Sequence, residues 1–179
     1  MDCYSVLPAM HSDIMVVPFK GDNGFLTLFS IYNEITDNET VTYLDSFLTQ
    51  NAHIIHPLVR DCIVWMGDFN HHHPMWEEES NKRLYESADF ISPFIELHYR
   101  NKMLLALPKG IPTFQSAAGN WRRQDNVWCC NTPDDPILRC NIVPAIHPPL
   151  ADHLLVITIV DIPLPRIPEA HALDFRQAN

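Results

Sequence analysis

Cys62–Phe69 reads CIVWMGDF, a short apolar run with no polar alternation until its end. A strand with one wet face would alternate, so a continuous run of this length suits a strand covered on both faces. Such a strand needs a layer on each side of its sheet, which confines the chain to a layered fold. The run stops in Gly67-Asp68-Phe69-Asn70, followed by His71, His72 and His73. Layered folds collect their chemistry at strand ends and the loops beyond, so a carboxylate and an amide placed there mark a candidate site.

The flanking segments supply the layers. Ser12–Phe19 and Gly24–Glu34 carry β-branched apolar runs on either side of the turn signal KGDNG and predict a hairpin. The period then changes: Val41, Leu44 and Leu48 fall on one helical face, behind a cap at Asp37 or Asn38. Residues 81–105 read as mostly helical, with Pro93 as a break or a helix start. Residues 110–114 (GIPTF) predict a turn and a short extended piece, residues 124–130 (QDNVWCC) a short strand, and residues 153–163 a late strand closed by Pro163. Strand, strand, helix, strand, helix, strand, strand is the order of a mixed α/β layered domain. That domain is expected over residues 1–163, with 164–179 as a linker-like tail.

Composition excludes several alternatives. Fifteen prolines against five glycines argue against an all-helical protein. The five cysteines are odd in number and show no knuckle spacing, so they read as reduced, buried thiols. The N-terminus has no secretory signal, and no window reaches the roughly 20 apolar residues of a membrane span. The expectation is an intracellular chain, nuclear or cytoplasmic, not secreted and not membrane-bound. A formal net charge of -10 disfavours nucleic-acid binding, unless some of the acids hold a cation.

Three polar groups meet three strand ends. Asp68 and Asn70 end one strand, Asp125 and Asn126 open VWCC, and Asp152 and His153 precede LLVITIV. Alone, Asp68 reads equally well as a turn former or helix cap, and Asp152–His153 reads better as one. Brought to one point, they make a site. Carboxylates are hard ligands for Mg²⁺ or Mn²⁺, an amide donates to a phosphate oxygen, and a histidine backed by a carboxylate carries a proton or faces developing charge. Phosphate-ester hydrolysis needs those parts.

The combination resembles a known family. GDFN, then TF with GNWRRQDNVW, then ADHLLV, is similar to the endonuclease/exonuclease/phosphatase (DNase I-like) superfamily, with Ala151 where a serine is usual. GDFNHHHPMW, GNWRRQDNVWCC and PPLADHLLVITIVDIP look most like the endonuclease domains of fungal non-LTR (LINE-type) retrotransposons. The resemblance implies a layered α/β sandwich of mixed sheets flanked by helices. It implies a metal-dependent DNA-nicking phosphodiesterase, with Mg²⁺ or Mn²⁺ as cofactor and DNA as partner. The oligomeric state is not specified by the sequence.

Residue by residue, the resemblance implies that Asp68 positions or deprotonates the attacking water and that Asn70 orients the phosphate. His153 would face the scissile phosphate with Asp125 behind it, Asp152 would belong to the metal site, and Tyr32, in LFSIYN, would contact a phosphate oxygen. The family pattern also includes an earlier strand with an asparagine and a second ending in a metal-binding glutamate. Neither is found here, so the chain is expected to be N-terminally truncated, the C-terminal two-thirds of such a domain. Two rival readings follow: a catalytically inactive remnant lacking that glutamate, and a phosphatase on the same fold.

Two further groups invite function. His71, His72 and His73 suggest zinc, but neighbours on a loop diverge, so they are expected to be structural or to line substrate. Trp121 beside Arg122 and Arg123 could stack a base and clamp phosphate, or could be a solvated loop with one packed tryptophan.

Overall fold

The computed structural model describes residues 9–21, 24–55, 61–130, 136–146 and 150–161. Strands β1 (Ile14–Gly21) and β2 (Gly24–Tyr32) form the expected antiparallel hairpin, paired from Ile14 with Ile31 to Gly21 with Gly24. Helix α1 (Glu39–Gln50) and the single turn α2 (Ala52–Ile55) carry the chain back to β3 (Cys62–Asp68), which lies parallel to β2. A helical crossover is what a parallel pair requires. The helix start involves both expected residues. The Asp37 carboxylate accepts the Glu39 N–H at 3.0 Å, and the Asn38 carbonyl accepts that of Thr42 at 2.9 Å.

Helix α3 (Ala88–Arg100) runs straight through Pro93, against the expectation of a break or start there. Pro93 withholds one N–H and crowds the preceding turn, at about 3 kcal/mol. Ile91, Phe94 and Leu97 are buried on one face of the helix, and each is worth about 2 kcal/mol. Their sum exceeds the penalty, and Pro93 itself lies on the exposed face. The residues before it are also less helical than expected, forming only a 3₁₀ turn over Glu79–Leu84.

Strands β4 (Met103–Leu105) and β7 (Asp125–Cys130) complete a five-stranded sheet in the order β1-β2-β3-β7-β4. Two small antiparallel pairs stand beside it: β5 (Phe114–Gln115) with β6 (Trp121–Arg122), and β8 (Ile137–Ile142) with β9 (Val156–Val160). Sequence patterning missed β4 and β8, and it drew β9 too long. Residues 153–155 lie before the strand and serve a different purpose, described below. The expected boundary at 163/164 and the tail lie outside the described residues.

The central strand behaves as its composition demands. Cys62, Ile63, Val64 and Trp65 are all buried, so both faces are covered. On one face the aromatic ring of Trp65 meets Phe29 of β2 and His98 of α3, with centroids 6.5 and 5.1 Å away. Phe47 of α1 reaches Phe29 at 6.2 Å. Cys140 of β8 belongs to the same core, and Ile137 and Val156 pack against it, so the second layer is the β8–β9 pair. The result is a layered α/β sandwich. No helix among the described residues is long and apolar enough to cross a membrane.

Candidate active site

The site begins where β3 ends. Gly67 has φ +141°, and a Cβ built on it would sit 1.9 Å from the Ile31 carbonyl oxygen of β2. Only glycine allows so close an approach with such a φ. One residue later, Asp68 projects from the strand end. Its Oδ1 accepts the Asn70 backbone N–H at 2.9 Å, which fixes the carboxylate. Asn70 makes that bond from the left-handed region, φ 51°, a conformation asparagine tolerates better than most residues.

The Asn70 side chain is buried and held on two sides. Gln124 Nε2 donates to its Oδ1 at 3.0 Å, and its Nδ2 donates to the Asn33 carbonyl at 2.9 Å. Asn33 in turn donates its N–H to the Asp68 carbonyl at 2.8 Å. Sequence reasoning singled out Tyr32 and passed over Asn33 and Gln124. Their signal was weak, since each is one polar neighbour of a chosen residue and only burial distinguishes it.

Asp125 stands opposite Asp68 in the β3–β7 ladder. Its N–H, with that of Gln124, donates to the buried Thr113 hydroxyl, at 2.9 and 3.2 Å. Thr113 also carries the next piece. Its carbonyl accepts the Leu154 N–H at 2.7 Å, while the Asp152 carbonyl accepts the Gln115 N–H at 2.7 Å. These bonds lay residues 152–154 along β5 and deliver His153 to the two aspartates. The His153 ring packs edge-on against Phe114, with centroids 5.0 Å apart.

Asp125, His153 and Asp68 form a line. His153 Nδ1 is 2.8 Å from Asp125 Oδ2, and its Nε2 is 3.9 Å from Asp68 Oδ2. An ionised carboxylate only accepts, so Nδ1 carries the proton shared with Asp125. Burial of the ring lowers the His153 pKa, but the Asp125 hydrogen bond and charge, with Asp68 and Asp152, outweigh it and leave the pKa raised. Asp68 is pushed up to about 6, by burial first and then by the Asp125 charge, against the lowering contributions of Asn70 and His153. Two carboxylates opposite each other at the ends of paired strands make a donor set suited to a hard divalent cation. Asp152, next to His153 in the chain, is exposed and acts on that ring by its charge.

Tyr32 is 46% exposed and is the β2 partner of Asp68. Its pKa is raised, by the Glu34 charge first, then burial and the charges of Asp68 and Asp13. Trp121, 45% exposed, and the half-buried Arg122 lie on β6, whose partner β5 carries the His153 segment. Arg123 corrects the expectation of a phosphate clamp. It is buried, and its guanidinium donates to Asn126 Oδ1 at 2.8 Å, to the Leu107 carbonyl at 2.7 Å and to the Pro108 carbonyl. Burial lowers its pKa to about 10, so it stays charged at neutral pH and ties the β7 start to the loop after β4. Nothing in the spacing distinguished it from Arg122.

The three histidines face separate partners. His71 Nδ1 lies 2.9 Å from Glu86 and its Nε2 3.2 Å from Asn33 Nδ2, whereas His72 Nδ1 lies 2.8 Å from Glu77. The His73 ring packs on Trp76. They converge on no shared point, and two of them brace the loop beyond β3.

The sequence profile of the endonuclease-reverse transcriptase family matches residues 26–156. No curated protein matches the chain in sequence. Among solved structures, the chain is similar to the endonuclease domain of TRAS1, a telomere-specific non-LTR retrotransposon, with 18% identity and a TM-score of 0.59 over 84% of this chain and 64% of that one. It is similar to the 3′-5′ exonuclease NExo of Neisseria meningitidis, with 13% identity and a TM-score of 0.62 over 90% of this chain and 72% of that one. It is also similar to the AP endonuclease LMAP of Leishmania major, with 10% identity and a TM-score of 0.64 over 85% of this chain and 56% of that one. The chain thus spans 64% of the first of these structures and 56% of the last. At such identities the likeness concerns the fold.

Proposed function

Because the chain belongs to the endonuclease-reverse transcriptase family, we propose that it is a divalent-metal-dependent phosphodiesterase that nicks DNA. The observation that carries this reading is the line Asp125–His153–Asp68, with 2.8 Å on one side of the imidazole and 3.9 Å on the other. In this reading Asp125 fixes the orientation of the His153 ring and favours its cationic form. The imidazolium faces the scissile phosphate and offsets charge that grows on its oxygens. Asp68, at the edge of the same gap, orients the attacking water and takes its proton.

Asn70 uses one Nδ2 hydrogen on Asn33, which leaves the other to orient a phosphate oxygen. Tyr32 donates its hydroxyl to another. Asp152, next to His153 in the chain, contributes to holding Mg²⁺ or Mn²⁺, which when bound polarises the phosphate as a Lewis acid. Trp121 and Arg122 of the β5–β6 hairpin contact the DNA strand next to the cut, by stacking and by phosphate pairing. The domain ends near residue 163, residues 164–179 act as a linker, and the chain works inside the cell, in nucleus or cytoplasm.

The test is nicking of supercoiled plasmid by the purified chain with Mg²⁺. Nicking abolished both by EDTA and by His153→Ala is the expected result. Hydrolysis of a small phosphate monoester without nicking would replace this reading with a phosphatase. A folded chain that does neither would overturn it in favour of an inactive remnant.

A further inference from the structure

Cys62, Cys129 and Cys130 gather at the far end of the central strands from the candidate active site. Cys62 opens β3 and Asp68 closes it, so the two places are about 20 Å apart along the strand. The sulfur atoms of the three cysteines all lie within 4.8 Å of one another, and Cys62 Sγ is 3.5 Å from Cys129 Sγ. Convergence of Cys129 with Cys130 is not what a strand provides, since successive side chains point to opposite faces. The ladder explains it. Backbone pairing of β3 with β7 stops at Val64–Cys129, and the next N–H, that of Ile63, goes instead to Cys130 Sγ at 3.0 Å. The Cys130 side chain is thereby turned across the end of β3 toward the other two.

We propose that these three cysteines form a binding site for a thiophilic d¹⁰ cation, Zn²⁺ above all, held by three thiolates. A tetrahedral zinc–thiolate site has Zn–S bonds of about 2.3 Å and so sulfur separations of about 3.8 Å. With every sulfur pair already within 4.8 Å, the cluster reaches that by closing no gap by more than about 1 Å. The Asp61 carbonyl oxygen borders the cluster, 3.8 Å from Cys130 Sγ, and it or a water would take the fourth position. An entry path exists: Cys129 and Cys130 line a cavity of about 530 Å³, shared with Leu104, Leu138, Arg139 and Cys140. Three thiolates around Zn²⁺ leave one net negative charge, and the exposed Arg139 lines the same cavity. Each thiol surrenders its proton to solvent as its S–Zn bond forms, with no change of oxidation state. The site is independent of the phosphodiesterase reading.

The experiment titrates the reduced full chain with Co²⁺ and follows the visible d–d bands and the sulfur-to-cobalt charge-transfer band. Saturation at one equivalent, reversal by Zn²⁺, and persistence in excess Mg²⁺ are expected. Cys62→Ser and Cys129→Ser should lose the charge-transfer band, and Cys140→Ser should keep it. Should a serine variant not fold, protection of thiols in the unmodified chain decides: bound Zn²⁺ should shield three cysteines from a thiol reagent. A folded, reduced chain without the charge-transfer band, a band that survives Cys62→Ser and Cys129→Ser, or no shielding would each overturn the site.

Discussion

Residues that look alike in the sequence part company by burial. Arg122 and Arg123 are neighbours with the same charge, yet one is half-buried on β6 and the other is sealed under the loop after β4. Arg123→Ala would strand the Asn126 amide and two carbonyls, and it should lower stability by about 3 kcal/mol in a denaturant melt. Arg122→Ala should leave stability within about 0.5 kcal/mol while weakening binding of single-stranded DNA measured by fluorescence anisotropy. Equal destabilisation by both would contradict the assignment. The same division runs through the polar candidates. Asp68, Asp125 and His153 were legible because each stood at the edge of an apolar run with chemistry of its own. Asn33 and Gln124 were not, because a lone amide carries no signal until it is buried against Asn70.

The elements were legible where one period ran long enough. The β1–β2 hairpin, α1 and β3 followed their patterns. The three-residue β4 and the mixed-polarity β8, ILRCNI, did not, because their pairing partners lie far away in sequence. Helix α3 shows the opposite failure, a strong local signal at Pro93 overruled by an apolar face. Pro93→Ala restores an N–H for the Asp89 carbonyl at an exposed position. It should stabilise the chain by about 1–3 kcal/mol, seen as a higher midpoint in urea at unchanged slope. No gain would mean that the helix has already relaxed around the proline.

Across the whole molecule, the buried His98 and the half-buried Asp68 set opposite pH dependences in one window. His98 sits among Trp65, Phe94 and Trp128, and burial lowers its pKa to about 4. Its contribution to stability is complete above the unfolded value near 6.5 and is lost as pH falls toward 4, up to about 3 kcal/mol. Asp68 is raised to about 6, so its contribution is complete below the unfolded value of 3.8 and is lost as pH rises through 6. Between pH 4 and 6 the two oppose, and stability should change little. Asp68→Asn should expose a fall in stability on acidification, and His98→Phe should expose a rise. Thermal melts of both variants across that range check the signs, and parallel curves would refute them.

By itself, the sequence determined the layered fold, the central strand, and the polar groups that meet at the site. Periodicity and short signatures such as GDFN are local properties, readable without coordinates. Only the tertiary structure decided that Arg123 is a buried brace and that three histidines face separate partners. It also set His153 between two aspartates and turned the neighbouring Cys129 and Cys130 toward a third thiol. Those outcomes depend on strand register and on the direction of side chains across the sheet. Both are settled by packing between residues far apart in the chain.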